Sequence, residues 1–272
     1  MSGKCLRVFA PLALVAVVGC APVQTTEQGA VGVGRTQYMS GLVSAQQVEE
    51  ASAQQYSQTL AQAKAEGALN TDAAAVKRVT AISQRLIKQV PHFRADAASW
   101  KWQVNVIESD EVNAWCMPGG RIAVYTGMID KVKATDAELA AVIGHEIAHA
   151  LREHTREQMS RQMAANLGLS VLAAATGSSA AADLGGTLSQ VMFTLPKSRE
   201  AESEADAIGV ELAARAGYDP RAAVTLWQKM SAMSSSASLE ILSTHPSPAT
   251  RITELQQKAQ LVMPVYQQAA KP

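Results

Sequence analysis

His145-Glu146-Ile147-Ala148-His149 places two imidazoles one helical turn apart, with a carboxylate beside the first. Residues at i and i+4 of an α-helix share a face, so both rings can reach one tetrahedral Zn²⁺. Glu146 follows the first histidine directly and can act on a metal-bound water rather than on the metal itself. The pattern carries chemistry only on a helix, and the flanking sequence supplies one. Thr135-Asp136-Ala137-Glu138 has the capping-box pattern of a helix start, and the helix runs on to about Arg152.

Upstream the period changes. Trp102, Val104 and Val106 alternate with Gln103 and Asn105, which predicts a strand. Residues 113–117 form a short extended candidate, Pro118-Gly119-Gly120 a turn, and 121–126 another strand. Further upstream, 44–66 is Ala/Gln-rich and helix-compatible. A second helix is expected over 71–89, with Val76, Val79, Ile82, Leu86 and Ile87 near one face and Pro91 closing it. Beyond the histidine pair almost everything reads helical, with breaks near 177–186, Pro196, 217–220 and 245–248. A small sheet among many helices is an α+β, mostly helical plan. Residues 163–176 and 187–195 are apolar but each too short for a span, and Gly177-Ser178-Ser179 and Asp183 interrupt them. They are expected to be a buried helix pair or a mobile cover over the active site, with a membrane-embedded hairpin as the alternative.

Two histidines leave the shell open, since a catalytic zinc takes three protein ligands and a water. One zincin class places a third His six residues after the second; here Thr155 stands there, Arg152 replaces that motif's Gly, and His154 is off the spacing. A carboxylate is needed instead, and Ser198-Arg199-Glu200-Ala201-Glu202-Ser203-Glu204-Ala205-Asp206 offers several. On a helical wheel Ala201, Ala205, Ile208, Leu212 and Ala216 form the buried stripe. Glu200, Glu204 and Glu211 group on the far flank near Arg215 and read as solvated. Glu202 and Asp206 lie together beside the small Gly209 and Ala213, where a second helix can approach closely. Glu202 is therefore the expected third ligand. Asp206, one turn on, is placed to accept the remaining N–H of a ligating His.

Composition and the N-terminus bound the setting. The 24 basic and 24 acidic residues create no field for nucleic acid or an anionic membrane. Lys4 and Arg7 precede an apolar run over 8–18 that ends in Val17-Val18-Gly19-Cys20, which is similar to a bacterial lipobox. The expected organisation is a lipoprotein signal peptide over 1–19, a lipidated flexible tether over 20–43 and one metallopeptidase domain over 44–272. Lipidation falls on Cys20, with Ala21 after it, which by resemblance to Gram-negative sorting rules points to the periplasmic face of the outer membrane. Cys5 leaves with the signal, so Cys116 is alone in the folded part and no intramolecular disulfide forms. Zinc must then be held by His and carboxylate.

The combination of His145–His149, Ser198-Arg199-x-x-Glu202-x-x-Ala205-Asp206 and His245-Pro246 before a helix resembles the HtpX/CAAX-prenyl-protease family of gluzincin metallopeptidases. Asn113-Ala114-Trp115-Cys116-Met117-Pro118-Gly119-Gly120 is similar to the strand and turn before that family's zinc helix. The resemblance covers about residues 75–260 and is nearest to the family's periplasmic lipoprotein branch. It implies a zincin-like fold with a small β-sheet beside the zinc helix. It implies one Zn²⁺ on His145, His149 and Glu202, Glu146 as general base and Asp206 behind the ligands. His245 corresponds to a histidine near the metal in relatives, either supplementing the shell or stabilising the oxyanion.

The expected function is a membrane-anchored zinc metalloendopeptidase that cleaves internal bonds of misfolded or misassembled envelope proteins. Substrate backbone is expected to pair with the strand at Asn113, Ala114, Trp115 and Cys116. The side chains of Cys116 and Trp115 themselves read more simply as core. The competing expectation is a zinc-containing envelope assembly factor or chaperone with latent proteolysis.

Overall fold

The computed structural model describes residues 20–174, 184–234, 239–246 and 250–272. The signal peptide expected over 1–19 lies outside these residues, as does most of the break near 177–186.

In chain order, a two-stranded antiparallel ribbon of β1 (Cys20–Val23) and β2 (Gln37–Ser40) precedes two helices, α1 (Ala45–Ala65) and α2 (Ala73–Ile87). A three-stranded sheet follows from β3 (Gln103–Ile107), β4 (Ala114–Met117) and β5 (Arg121–Tyr125). The helices α3 (Thr126–Asp130), α4 (Asp136–Leu151), α5 (His154–Ala174), α6 (Leu184–Phe193) and α7 (Arg199–Arg215) come next. The chain ends in α8 (Ala222–Ser234), α9 (Glu240–Thr244), α10 (Arg251–Leu261) and α11 (Met263–Gln268). This is the α+β, mostly helical plan expected from the sequence, with the ribbon as an addition.

Local signals place the ends of these elements. Ser44 caps α1 in a full capping box with Gln47, Asp72 caps α2 through Ala74 N and Ala75 N, and Thr135 with Glu138 closes the capping box of α4. Gly119 and Gly120, at φ +82° and +86°, make the turn from β4 into β5; that backbone region suits residues without a Cβ.

The sheet order is β3-β5-β4, with β3 parallel and β4 antiparallel to β5. β4 is thus an edge strand. Its other edge faces the cleft beside α4, which packs against it. α4 is buried along nearly its whole length and crosses α7 at Gly144 and Gly209. A Cβ built on Gly209 would meet His145 N at 2.7 Å, so the two backbones touch, as the small residues at 209 and 213 predict.

One expectation is overturned. Residues 20–43 are not a loose tether: Met39 and Val43 are buried, Gln37 is fully covered, and the amide of Glu27 donates to the carbonyl of Phe93 at 2.7 Å. Besides Met39 and Val43, the segment is anchored mainly by polar groups. Arg35 binds both Glu157 and Glu204, and Gln37 donates to the Arg152 carbonyl. The same contacts correct a second expectation, because Glu204 and Glu211 are buried beneath this segment rather than solvated. The Val31 amide donates to Glu211 Oε2 at 3.0 Å. Glu200 is exposed as expected.

α6 packs through Leu188 and Val191 against Val43, Val48 and Met159, while Met192 and Phe193 at its end reach the wall of the cleft. Among the described residues no helix is long and apolar enough to cross a membrane.

Candidate active site

α4 delivers His145, Glu146 and His149, α7 delivers Glu202 and Asp206, and the turn after α9 delivers His245; all six are buried. Four of them, His145, His149, Glu202 and His245, offer donor atoms that lie within 4.8 Å of one another.

The separations match a tetrahedral zinc site. Bonds of about 2.0–2.1 Å put neighbouring ligand atoms roughly 3.3 Å apart. His145 Nε2 lies 3.1 Å from His149 Nε2 and 3.3 Å from His245 Nδ1. Glu202 Oε1 lies 2.9 Å from His245 Nδ1 and 3.2 Å from His149 Nε2. Lone pairs converging this closely repel unless something positive sits between them. Glu146, Glu202 and Asp206 are opposed in the buried cluster by Arg251 and Lys197, so with neutral imidazoles the balance is negative and a divalent cation offsets it. The donor set fits Zn²⁺; Glu202 lies among the donors, whereas Glu200 is exposed and Glu204 faces Arg35, Arg152 and His154.

A layer behind the donors orients them. Asp206 Oδ1 lies 3.0 Å from His145 Nδ1, somewhat off the line of an ideal hydrogen bond. Arg251, stacked 3.4 Å over the Trp227 ring, donates to Glu202 Oε2 at 2.8 Å and to Asp206 Oδ1 at 2.7 Å. It thereby turns the other Glu202 oxygen toward the imidazoles. Burial alone would raise the Glu202 carboxyl, but the imidazoles, His245 foremost, hold it well below the usual range. Asp206 is likewise pulled below its ordinary value, because Arg251 and His145 outweigh burial. Burial pushes His149 well below the ordinary histidine range, whereas Asp206 and Glu202 outweigh burial and raise His145.

Glu146 stands apart from the donors. Its Oε1 is buried with no hydrogen-bond partner and lies 3.6 Å from His245 Nε2. A buried carboxylate oxygen left free is costly unless something outside the fold completes it. It faces a cavity of about 330 Å³ lined by Asn113, Ala114, Trp115, Cys116, His149 and His245, among others.

The expected strand residues therefore do line the cleft, through backbone. Asn113 O accepts from Tyr125 N, and the antiparallel register then turns 115 and 117 toward β5, leaving 114 and 116 facing the open edge. The Trp115 ring is wedged between Tyr56 and Phe193, at 5.6 and 5.7 Å between centroids. Cys116 is buried, and burial pushes its thiol well above the ordinary range, which leaves it inert.

The sequence reading missed Arg251, His154 and Lys197. Arg251 shares the stripe of Leu255, Ala259 and Val262 at helical spacing, so a charged residue in an otherwise apolar face was the available signal. Lys197 is buried at the cleft, donates to the Val191 carbonyl, and burial lowers it to about 8. Nothing local distinguished it from a surface lysine.

Comparison with known proteins agrees with this geometry. The model of peptidase family M48 matches residues 73–259. Mitochondrial metalloendopeptidase OMA1 of Arabidopsis thaliana is 42% identical over 150 residues, covering 55% of this chain and 30% of the relative. The Schizosaccharomyces pombe protein of that name is 38% identical over 163 residues, 58% of this chain and 46% of the relative. The beta-barrel assembly-enhancing protease of Escherichia coli K12 is 28% identical over 207 residues, 71% of this chain and 40% of the relative. The matches thus span less than half the length of each of these relatives. Family match and donor geometry coincide on the same helices, and the chain belongs to peptidase family M48.

Proposed function

We propose that this chain is a zinc metalloendopeptidase acting on misfolded or misassembled cell-envelope polypeptides. The observation that carries the peptidase reading is Glu146, a buried carboxylate with a free oxygen beside the donor cluster, in a cleft bordered by an edge strand. A purely structural zinc has no use for such a group. An extended substrate pairs with the 114–116 edge of β4, which reads backbone more than side chains and suits unfolded targets. Zinc held by the donors supplies a Lewis acid for a water and a scissile carbonyl. Glu146 accepts the proton of the attacking water and returns it to the leaving amine as the C–N bond breaks.

Anchoring by lipid on Cys20 at the periplasmic face of the outer membrane remains part of the proposal, supported by Val17-Val18-Gly19-Cys20. Because β1 starts at Cys20 and the following residues are folded against the domain, such an anchor would hold the domain close to the bilayer. The relative from Escherichia coli is named for assembly enhancement, which supports an envelope setting and assembly machinery as partner.

His245 favours a second reading, an assembly factor with latent proteolysis. Its Nδ1 lies among the donors and would supply a fourth ligand, closing the position that a working catalytic site keeps open. Rescue of an envelope-assembly defect by wild type and by Glu146→Gln separates the two. Loss of rescue in the variant supports proteolysis; full rescue supports assembly. His245→Ala should keep zinc on three donors and cleave faster than wild type if that histidine holds the site closed.

A further inference from the structure

His154 was set aside as a ligand because of its spacing, yet it is buried directly behind the zinc cluster. Its Nδ1 lies 2.8 Å from Nδ1 of His149, and its Nε2 lies 3.0 Å from Glu204 Oε2. Glu204 is itself clamped. Arg35 Nε donates to its Oε1 at 2.6 Å, and Arg152 Nε donates to its Oε2 at 3.0 Å. Two guanidinium groups thus converge on one carboxylate, as they do on an ionised one.

We propose that Glu204 and His154 form a positioning relay that fixes which nitrogen of His149 offers its lone pair to zinc. The logic is proton counting. An ionised carboxylate can only accept, so the proton of a neutral His154 sits on Nε2 and its Nδ1 is bare. A bare Nδ1 can only accept from His149, which places the proton of His149 on its own Nδ1. Nε2 of His149 is then left as a lone pair, and that is the atom beside His145 Nε2 and Glu202 Oε1. The reverse polarity would put a proton on His149 Nε2, where the metal belongs. Asp206 faces Nδ1 of His145 directly, so the two zinc histidines are served differently, one by a carboxylate and the other by a carboxylate acting through a second imidazole.

The far end of the relay is the N-terminal segment. Arg35 bridges Glu204 and Glu157, and the Arg35 carbonyl accepts from Arg152 Nη2 at 2.9 Å. Docking of residues 24–36 therefore contributes to holding the carboxylate that sets the tautomer of His149. His154 and Glu204 are positioning residues, and the inference rests on His149 being a zinc ligand.

Two measurements on the full chain test it. Nitrogen-15 histidine spectra of the zinc-loaded protein should show His149 protonated at Nδ1 and His154 protonated at Nε2 alone. A proton on Nδ1 of His154 overturns the relay. In competition with a chromophoric chelator, His154→Phe should bind zinc about 10–100-fold more weakly, the usual effect of losing a group that orients a ligand. His154→Gln, whose side-chain carbonyl can accept from His149 Nδ1, should recover part of that loss. Affinities in both folded variants equal to wild type overturn the relay while leaving the metallopeptidase reading intact. If His154→Phe does not fold, the spectra and His154→Gln decide. Wild-type protein that binds no zinc overturns the metallopeptidase reading and the relay together.

Discussion

Gly209→Ala tests the packing that holds the two halves of the zinc site together. In an isolated helix this substitution stabilises by about 1 kcal/mol, since alanine loses less backbone entropy than glycine. Here the sign should reverse. The new methyl would lie 2.7 Å from His145 N, 2.8 Å from His145 Cα and 2.9 Å from Gly144 C. These are backbone atoms of α4 and cannot rotate away. To restore ordinary contact, at 3.4 Å, the helices must separate by about 0.7 Å. Overpacking of this kind costs about 1–3 kcal/mol, and the upper end applies where backbone meets backbone. After the propensity gain a net loss of about 2 kcal/mol remains, equivalent to a melting temperature lower by roughly 4–8 °C in a domain of this size. The separation also exceeds the roughly 0.5 Å within which a working site must be held, and it pulls Glu202 on α7 away from His145 and His149 on α4. Zinc should therefore bind at least about 10-fold more weakly. Gly41→Ala, where a Cβ meets nothing within 4 Å, is the control and should change neither property. Thermal melts of the apo chain and chelator competition read the two effects. A Gly209→Ala chain as stable as wild type with unchanged zinc affinity would refute the close crossing of α4 and α7.

Three further outcomes follow from the polar groups. Glu157 and Glu204 both fall from an ordinary 4.5 to about 2, as Arg35 and, for Glu204, His154 outweigh burial. Carboxyls lowered in the folded state contribute stability above their unfolded value and lose it as pH falls from about 4.5 toward 2, at most about 3 kcal/mol each and not additively through their shared Arg35. Urea midpoints between pH 6 and 3 should fall less steeply for Glu157→Gln than for wild type; equal slopes contradict the clamp. Arg251→Met strands two buried carboxylates and should cost about 3–5 kcal/mol in the apo protein, read by denaturation. Arg251→Lys, lacking the planar fork, should not restore it. Cys116→Ala should leave casein cleavage unchanged, because the thiol is buried and protonated; loss of cleavage with an intact fold would assign it a role.

The zinc helix was legible because its signals are local. A capping box, an i,i+4 histidine pair and the adjacent carboxylate all act within one helix, and α4 follows them. Glu202 and Asp206 were legible one step further out, since Gly209 marks a flank of α7 where another helix backbone can come near. Arg35 and Gln37 were not. Composition reads a polar, glycine-containing stretch as loose, but here polar side chains anchor it to Glu157, Glu204 and the Arg152 carbonyl. The same segment covers Glu204 and Glu211, which a helical wheel places on a solvent-facing flank near Arg215. His154 was judged only as a ligand, and its place behind His149 depends on how α5 turns back after Glu153, at φ +51°. Such a turn is a tertiary fact with no periodic signature.

The central claim is that Glu146 moves protons beside a zinc held by other residues. The most direct measurement pairs zinc content with casein cleavage in wild type and Glu146→Gln. One zinc per chain in both, with cleavage lost in the variant, is the predicted result. A variant that cleaves casein at the wild-type rate would contradict it.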